Sequence, residues 1–103
     1  MAEIKFSPEA ISDLKETESY ITEELLDPQA ARKTVADIVK RIRRLADFPF
    51  SGAPLSSVVG METGYRFIVC GNYMAFYRFE KDTVYIVRVL YGRRDFMRVL
   101  FTE

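Results

Sequence analysis

Three consecutive β-rich runs in the second half of the chain constrain its fold more than any other feature. Residues 65–70, 73–80 and 83–91 are rich in β-branched and aromatic side chains, which is typical of strands. Only the dipeptides Gly71-Asn72 and Lys81-Asp82 separate them, and two-residue connections of this kind close hairpins between antiparallel neighbours. The sequence therefore predicts a three-stranded antiparallel meander.

The segment before the meander indicates a strand and two helices. Residues 2–6 alternate apolar and charged side chains, as a short half-buried strand does. Ser7-Pro8-Glu9 supplies an N-cap, a proline at the first helical position and an acid in the first turn. Asp27-Pro28 repeats this start signal, and the second helix should end near Phe48-Pro49.

Both predicted helices are amphipathic, because apolar side chains recur in them at helical spacing. Those of the first helix are Ile11, Leu14, Ile21 and Leu25, and those of the second are Val35, Ile38, Ile42 and Leu45. The acids expected on the outer face of the first helix are Asp13, Glu16, Glu23 and Glu24. We predict an irregular connection over 50–64 and a short closing helix over 95–101 with Asp95 as its cap. The fold class is therefore α+β.

Composition limits the kind of protein. A length of 103 residues suits one domain over 1–103. The single cysteine, Cys70, excludes an intramolecular disulfide and a multi-cysteine metal site, so we expect no metal and no cofactor. The N-terminus does not resemble a secretory leader and no apolar run reaches membrane-spanning length, which favours a cytoplasmic protein.

The formal charge is zero, so the whole molecule should not attract nucleic acid strongly. The charges are nevertheless unevenly placed: residues 1–27 carry eight acids and two bases, whereas residues 28–47 carry six bases and two acids. The basic run Lys40, Arg41, Arg43, Arg44 is interpreted as the solvated side of the second helix.

Uninterrupted two-residue hairpins would pair Cys70 with Tyr73 and Glu80 with Thr83, and this fixes which side chains share a face. The first face would hold Phe67, Val69, Met74, Phe76, Val87 and Val89, with Arg78 and Tyr85 near its edge. The arginine-bearing face would hold Arg66, Ile68, Tyr73, Ala75, Tyr77, Phe79, Ile86, Arg88 and Leu90. We expect the first face to lie on the helices and the arginine-bearing face to be free to bind another macromolecule. In the alternative, the C-terminal helix covers the arginine-bearing face and its arginines form edge salt bridges.

The order of these elements, with several motifs, resembles the RelE/ParE superfamily of toxins from type II toxin–antitoxin systems. The motifs are Phe6-Ser7-Pro8-Glu9-Ala10 with Asp13-Leu14, Phe48-Pro49-Phe50-Ser51-Gly52-Ala53-Pro54, Gly64-Tyr65-Arg66, Tyr77-Arg78, and Arg88-Val89-Leu90-Tyr91-Gly92-Arg93-Arg94-Asp95. The resemblance covers essentially the whole chain. It implies a toxin that arrests growth when free and is masked by a small acidic antitoxin, and it is compatible with a homodimer.

Similar toxins act on different targets: RelE-type members cut messenger RNA in the ribosomal A site, and ParE-type members poison DNA gyrase. The resemblance gives Arg66 and Arg94 as phosphate contacts of a nuclease. Its acid and base would have to come from Tyr77, Tyr91 or Glu62, because the chain has no histidine and a tyrosine with a pKa near 10 is a poor base.

Two departures from the RelE pattern favour the gyrase target. Leu100 stands where RelE-type enzymes often have a tyrosine, and their paired lysines are missing before the meander. The estimated pI of 6.3 is also low for a ribosome-acting protein. A ParE-like gyrase inhibitor is therefore slightly favoured; the alternatives are a ribosome-dependent endoribonuclease and a non-toxic partner-binding relative.

The residues predicted to bind the antitoxin or the target are Arg66, Tyr73, Tyr77, Arg88, Arg93 and Arg94. Several of them also have a purely structural interpretation. Arg66 could stack on the cross-strand Tyr77, and Arg93 and Arg94 could lie in a solvated turn. Cys70 is expected to be a small apolar filler.

Overall fold

The computed structural model describes residues 1–92 and 96–101, with the side chains of residues 96–98 excepted. In chain order the elements are β1 (Glu3–Phe6), α1 (Pro8–Glu24), α2 (Pro28–Arg43), a 3-10 turn (Arg44–Ala46), β2 (Ala53–Pro54), α3 (Ser56–Val59), β3 (Arg66–Cys70), β4 (Tyr73–Glu80), β5 (Thr83–Tyr91) and α4 (Phe96–Phe101). The predicted α+β order is confirmed. The connection predicted to be irregular contains β2 and α3, and the proposed cap Asp95 lies outside the described residues.

The strands form one sheet in the order β1-β5-β4-β3-β2. The antiparallel meander is confirmed, and both hairpins have the predicted register, with Cys70 opposite Tyr73 and Glu80 opposite Thr83. β1 lies parallel to β5 at the far edge, with Ile4 opposite Val84. The first strand of the chain therefore completes the sheet beside the last one.

Both long helices begin as the sequence predicts. The Ser7 hydroxyl accepts a hydrogen bond from the Ala10 N–H (2.9 Å) and donates one to the carbonyl of Val87 (2.8 Å). The Asp27 carboxylate accepts from the Ala30 N–H at 3.0 Å. Each cap satisfies an N–H group that has no partner inside the helix, and the Ser7 cap also ties α1 to β5.

The apolar stripe predicted for α1 is wrong in part. Ile11 and Leu25 are 44% and 60% exposed, whereas the buried side chains of the helix are Ala10, Asp13, Thr17 and Ile21. Asp13, expected on the acidic outer face, turns inward because Arg88 of β5 pairs with it. The predicted stripe of the second helix is confirmed at Ile38, Ile42 and Leu45, which are all fully buried.

The assignment of the two sheet faces is also wrong. α1 and α2 pack on a core that includes Ile68, Cys70, Ala75, Tyr77, Val84, Ile86 and Val89. The predicted free face is thus the helix-covered face, which we call the core face. The other side, the second face, forms a smaller cluster of Met74, Phe76, Phe67, Val87 and Leu90 with Leu55, Val59, Tyr65 and Leu100. α4 therefore contributes to covering the second face, through Leu100, whereas α1 and α2 cover the arginine-bearing face.

A β-bulge in β5 explains two of the misplaced residues. Phe76 lies opposite Arg88 and Tyr77 opposite Ile86, so Val87 is an extra residue in β5. The bulge breaks strict alternation. As a result Val89 joins Ile86 on the core face and Leu90 joins Val87 on the second face.

In the described part of the chain, every helix is too short or too polar to cross a membrane.

Candidate partner- and target-binding site

Arg66 and Tyr77, paired across β3 and β4, hold the loop that precedes β2. The Arg66 guanidinium donates to the carbonyls of Phe50 (3.1 Å) and Gly52 (2.7 Å) and lies 5.3 Å from the Phe50 ring centre. The Tyr77 hydroxyl donates to the Pro49 carbonyl (2.8 Å) and accepts from the Gly52 N–H (3.1 Å). We call this arrangement the loop clamp.

Gly52 is required for the loop clamp. A Cβ atom at this position would lie 2.5 Å from the Tyr77 hydroxyl and 2.7 Å from the Phe67 carbonyl, which is closer than side chains approach in folded proteins. Tyr77 itself is 0% exposed. The prediction that Tyr77 lies on an open surface is therefore wrong, and the signal for its real position was the Phe48–Pro54 motif with its central glycine.

Arg88 also faces inward, toward α1. Its guanidinium donates two hydrogen bonds of 2.8 Å to the carboxylate of Asp13, and these bonds raise the pKa of Arg88. The predicted exposed position of Arg88 is wrong, because a buried acid on the helix satisfies it. The signal missed in the sequence is Asp13, which stands three residues after the buried Ala10 and so shares its helix face.

Tyr73 and Tyr91 meet where β4 begins and β5 ends. Their ring centres are 5.3 Å apart in an edge-to-face arrangement. Burial raises the pKa of the Tyr73 phenol, and a hydrogen bond with Thr17 of α1 partly offsets this effect. Tyr73 is thus half-buried at the edge of the core face, whereas Tyr91 is 58% exposed.

Of the remaining predicted residues, the structure describes Glu62 but not Arg93 and Arg94. Arg93 and Arg94 lie outside the described residues, directly after Gly92, whose N–H donates to the Asn72 carbonyl at 2.7 Å. The exposed Glu62 carboxylate accepts a local hydrogen bond from the Gly64 N–H. The structure therefore brings Arg66 and Tyr77 together, and Tyr73 and Tyr91 together, but as two separate groups.

The second face offers a surface that sequence reasoning assigned to the interior. Val69 and Tyr85 are 48% and 38% exposed there. Arg78 forms an exposed ion pair with Glu80 and lies over the ring of Tyr65. A groove of about 410 Å³ runs between this region and β1, lined by Lys5, Phe6, Ser7, Arg78, Glu80, Tyr85, Ile86 and Val87. An apolar surface interleaved with cations can accommodate an acidic, partly apolar partner.

Comparison with known proteins identifies the family. A model of the ParE toxin of the type II toxin–antitoxin system ParDE matches residues 4–96. The fold is similar to a structure from the chromosomal ParDE system of P. aeruginosa, at 25% identity and a TM-score of 0.76, over 90% of this chain and 98% of that one.

Two further structures share the fold. One is the RelBE2 toxin–antitoxin complex of Mycobacterium tuberculosis, with 23% identity, a TM-score of 0.63, and coverage of 87% of this chain and 96% of that one. The other is YafQ from E. coli strain BL21(DE3), with 15% identity, a TM-score of 0.52, and coverage of 98% and 99%. None of the curated proteins compared matches the chain. Because the family model extends from β1 into α4, this chain belongs to the ParE toxin family of type II toxin–antitoxin systems.

Proposed function

We propose that the free protein arrests growth by ParE-like inhibition of DNA gyrase and that a small acidic antitoxin masks it. Membership of the ParE family and the similarity to a ParDE structure support this proposal. The proposal treats residues 1–103 as one toxin domain acting without a metal or cofactor.

The observation that carries this proposal is the state of Tyr77. An RNA-cleaving toxin needs a base for the attacking 2′-hydroxyl and an acid for the leaving oxygen. The Tyr77 phenol is fully buried and hydrogen-bonded to Pro49 and Gly52, so it cannot reach RNA. Arg66, a phosphate contact in the nuclease hypothesis, is occupied by the carbonyls of the same loop. A nuclease would therefore depend on Tyr91 and Glu62, both exposed, and on Arg94. A gyrase poison binds a protein and needs none of these groups.

Induction of this chain alone in a bacterial host tests the target. We expect growth arrest with activation of a DNA-damage reporter while protein synthesis continues at first. Purified protein should inhibit supercoiling by purified gyrase. Early loss of translation with cleaved messenger RNA would support the endoribonuclease, and undisturbed growth at confirmed soluble expression would support the non-toxic relative; either result rejects the proposal.

For the antitoxin we propose the second face as the docking surface, because Val69 and Tyr85 are exposed there and Tyr85 lines the groove that also contains Lys5 and Arg78. Val69→Glu and Tyr85→Glu each introduce a negative charge on this surface and should weaken capture of the co-expressed acidic antitoxin. Leu25→Glu introduces the same charge at an exposed apolar position just after α1; it is the control and should not weaken capture. Equal loss of capture in the control would reject this surface.

A further inference from the structure

A second concave surface lies on the opposite side of the molecule, between the end of α2 and the β3–β4 hairpin. It has a volume of about 560 Å³, within the range of roughly 300–1,000 Å³ typical of small-molecule sites. Its walls are Thr34, Asp37, Ile38, Lys40, Arg41 and Arg44 from α2 and the residue after it, and Cys70, Gly71, Asn72 and Tyr73 from the hairpin. We call it the hairpin cleft. Neither the loop clamp nor the second face contributes to it.

The hairpin cleft concentrates positive charge. Lys40, Arg41 and Arg44 line it, and among the described residues none of the three forms an ion pair or a side-chain hydrogen bond. The one acid in the lining, Asp37, is already paired with Lys33 at 2.8 Å. The cations of the cleft are thus not neutralised by that acid.

The uncharged groups of the cleft also favour an anionic ligand. Asn72 and Thr34 can donate hydrogen bonds through the side-chain amide and the hydroxyl. The Tyr73 phenol is engaged with Thr17, so its ring acts as a wall on which a flat group can pack. Donors therefore outnumber free acceptors around a space bounded by an aromatic ring.

We propose that the hairpin cleft binds a phosphoryl group, carried either by a free nucleotide or by a nucleic-acid strand. A phosphate monoester carries a charge of about −1.5 to −2 and three acceptor oxygens, which matches three cations and one ion-paired acid. A guanidinium group, such as that of Arg41 or Arg44, can donate two parallel hydrogen bonds to two oxygens of one phosphate. A single carboxylate has one charge and two oxygens, so it uses this donor set less fully. A backbone phosphodiester also has one charge and two free oxygens, so a strand must place consecutive phosphates in the cleft to use the set as fully.

The experiment is an NMR titration of the isotope-labelled full chain, followed at the amides of Gly71 and Asn72. The probes are pyrophosphate, ATP and a single-stranded DNA 12-mer, at an ionic strength of about 0.15 M. Octaglutamate is the carboxylate control. We expect saturable shifts with at least one phosphoryl probe and not with octaglutamate. Binding of pyrophosphate and ATP would identify a free ligand as the source, and binding of the 12-mer alone would identify the nucleic-acid backbone.

Matched variants locate the site. Arg41→Gln and Arg44→Gln together should raise the dissociation constant about tenfold or more, since both guanidinium groups lose their charged hydrogen bonds to phosphate. Arg32→Gln with Arg43→Gln removes the same charge from exposed positions of α2 outside the cleft and should change it less than about twofold. Asn72→Asp, which suits a turn, should also weaken binding.

The absence of saturable shifts with all three phosphoryl probes would overturn the proposal. So would equal binding of octaglutamate, or an equal loss of affinity in the Arg32 and Arg43 variant. Circular dichroism of each variant checks that the fold is kept.

Discussion

Arg88 and Asp13, 75 positions apart in the sequence, form the bidentate ion pair that joins β5 to α1. The Asp13 carboxylate also accepts the N–H of Val89 at 2.9 Å. The Asp13 side chain is almost fully buried. A buried carboxylate with three donors is stabilising only while its partners stay in place, because an unpaired buried charge is costly.

Asp13→Asn should therefore lower the free energy of unfolding by about 3 kcal/mol, since it leaves the half-buried Arg88 without a counter-charge. Urea denaturation measures this. Glu23→Gln, an exposed acid of the same helix, should change stability by less than about 0.5 kcal/mol. The double change of Asp13→Leu with Arg88→Met should recover a large part of the loss, and a double variant as unstable as Asp13→Asn would contradict this account.

Loss of the Tyr77 hydroxyl should separate a structural from a catalytic role. Tyr77→Phe leaves the Gly52 N–H and the Pro49 carbonyl without their partner, so stability should fall by about 2 kcal/mol. Growth arrest per amount of soluble protein should persist. Abolished toxicity at matched soluble protein would instead return Tyr77 to the functional site.

Two further variants control this experiment. Gly52→Ala should be at least as destabilising as Tyr77→Phe, because the added methyl group collides with the Tyr77 hydroxyl. Tyr85→Phe removes a hydroxyl that makes no hydrogen bond to the described residues and should be neutral within about 0.5 kcal/mol. Thermal denaturation of all three variants ranks them.

Arg93 and Arg94 remain predicted target contacts. Their joint exchange for alanine should relieve growth arrest and increase the number of surviving colonies at least about tenfold. The reason is that charged contacts at an interface contribute about 1.4 kcal/mol or more to binding. Exchange of the exposed α2 residues Arg32 and Arg43 for alanine is the control of equal charge. Full growth arrest by a soluble Arg93 and Arg94 double variant would show that the target is bound elsewhere.

The single thiol gives a pH-dependent test of the core face. Burial raises the pKa of Cys70, and the nearby Arg41 charge partly offsets this. The folded protein thus holds its thiol proton to higher pH than the unfolded chain does. Below about pH 8.5, the ordinary value, the thiol adds no pH dependence; above it, stability should fall as pH rises toward the folded pKa.

Urea unfolding between about pH 7 and pH 10 measures this effect. The decline should be shallower in Cys70→Ala, which lacks the titrating group. Arg41→Gln should move the pKa of Cys70 higher still, visible as slower alkylation at about pH 9. If the pH dependence of alkylation gave an ordinary pKa for Cys70 in the folded protein, the thiol would not be buried in solution.

Local signals predicted much of this fold. The turns at 71–72 and 81–82 fix the registers of both hairpins, and Ser7 and Asp27 fix the starts of the long helices, because each acts over a few residues. β2 was not predicted, since a two-residue strand carries no periodicity and forms only because β3 is beside it.

The sheet faces could not be assigned from the sequence for a different reason. Both faces of the meander are apolar, so the assignment depended on Arg66 and Arg88, whose face was expected to be free of the helices. Their partners, the carbonyls near Gly52 and the carboxylate of Asp13, lie 14 and 75 positions away. Strict alternation also fails at the bulge, where Val87 is added to β5. Only long-range contacts distinguish a satisfied arginine from an exposed one.

Because β1 pairs with β5, the sheet of a nascent chain cannot be completed before β5 has been synthesised. The Ser7 hydroxyl, which caps α1 locally, also donates to the carbonyl of Val87, 80 positions later. At about 5–20 residues per second, roughly 4–16 s of translation separate the two, and closing so long a loop slows folding further. An emerging polypeptide therefore lacks a finished sheet until its final strand leaves the ribosome, which leaves a co-translational interval before the toxin has its mature shape.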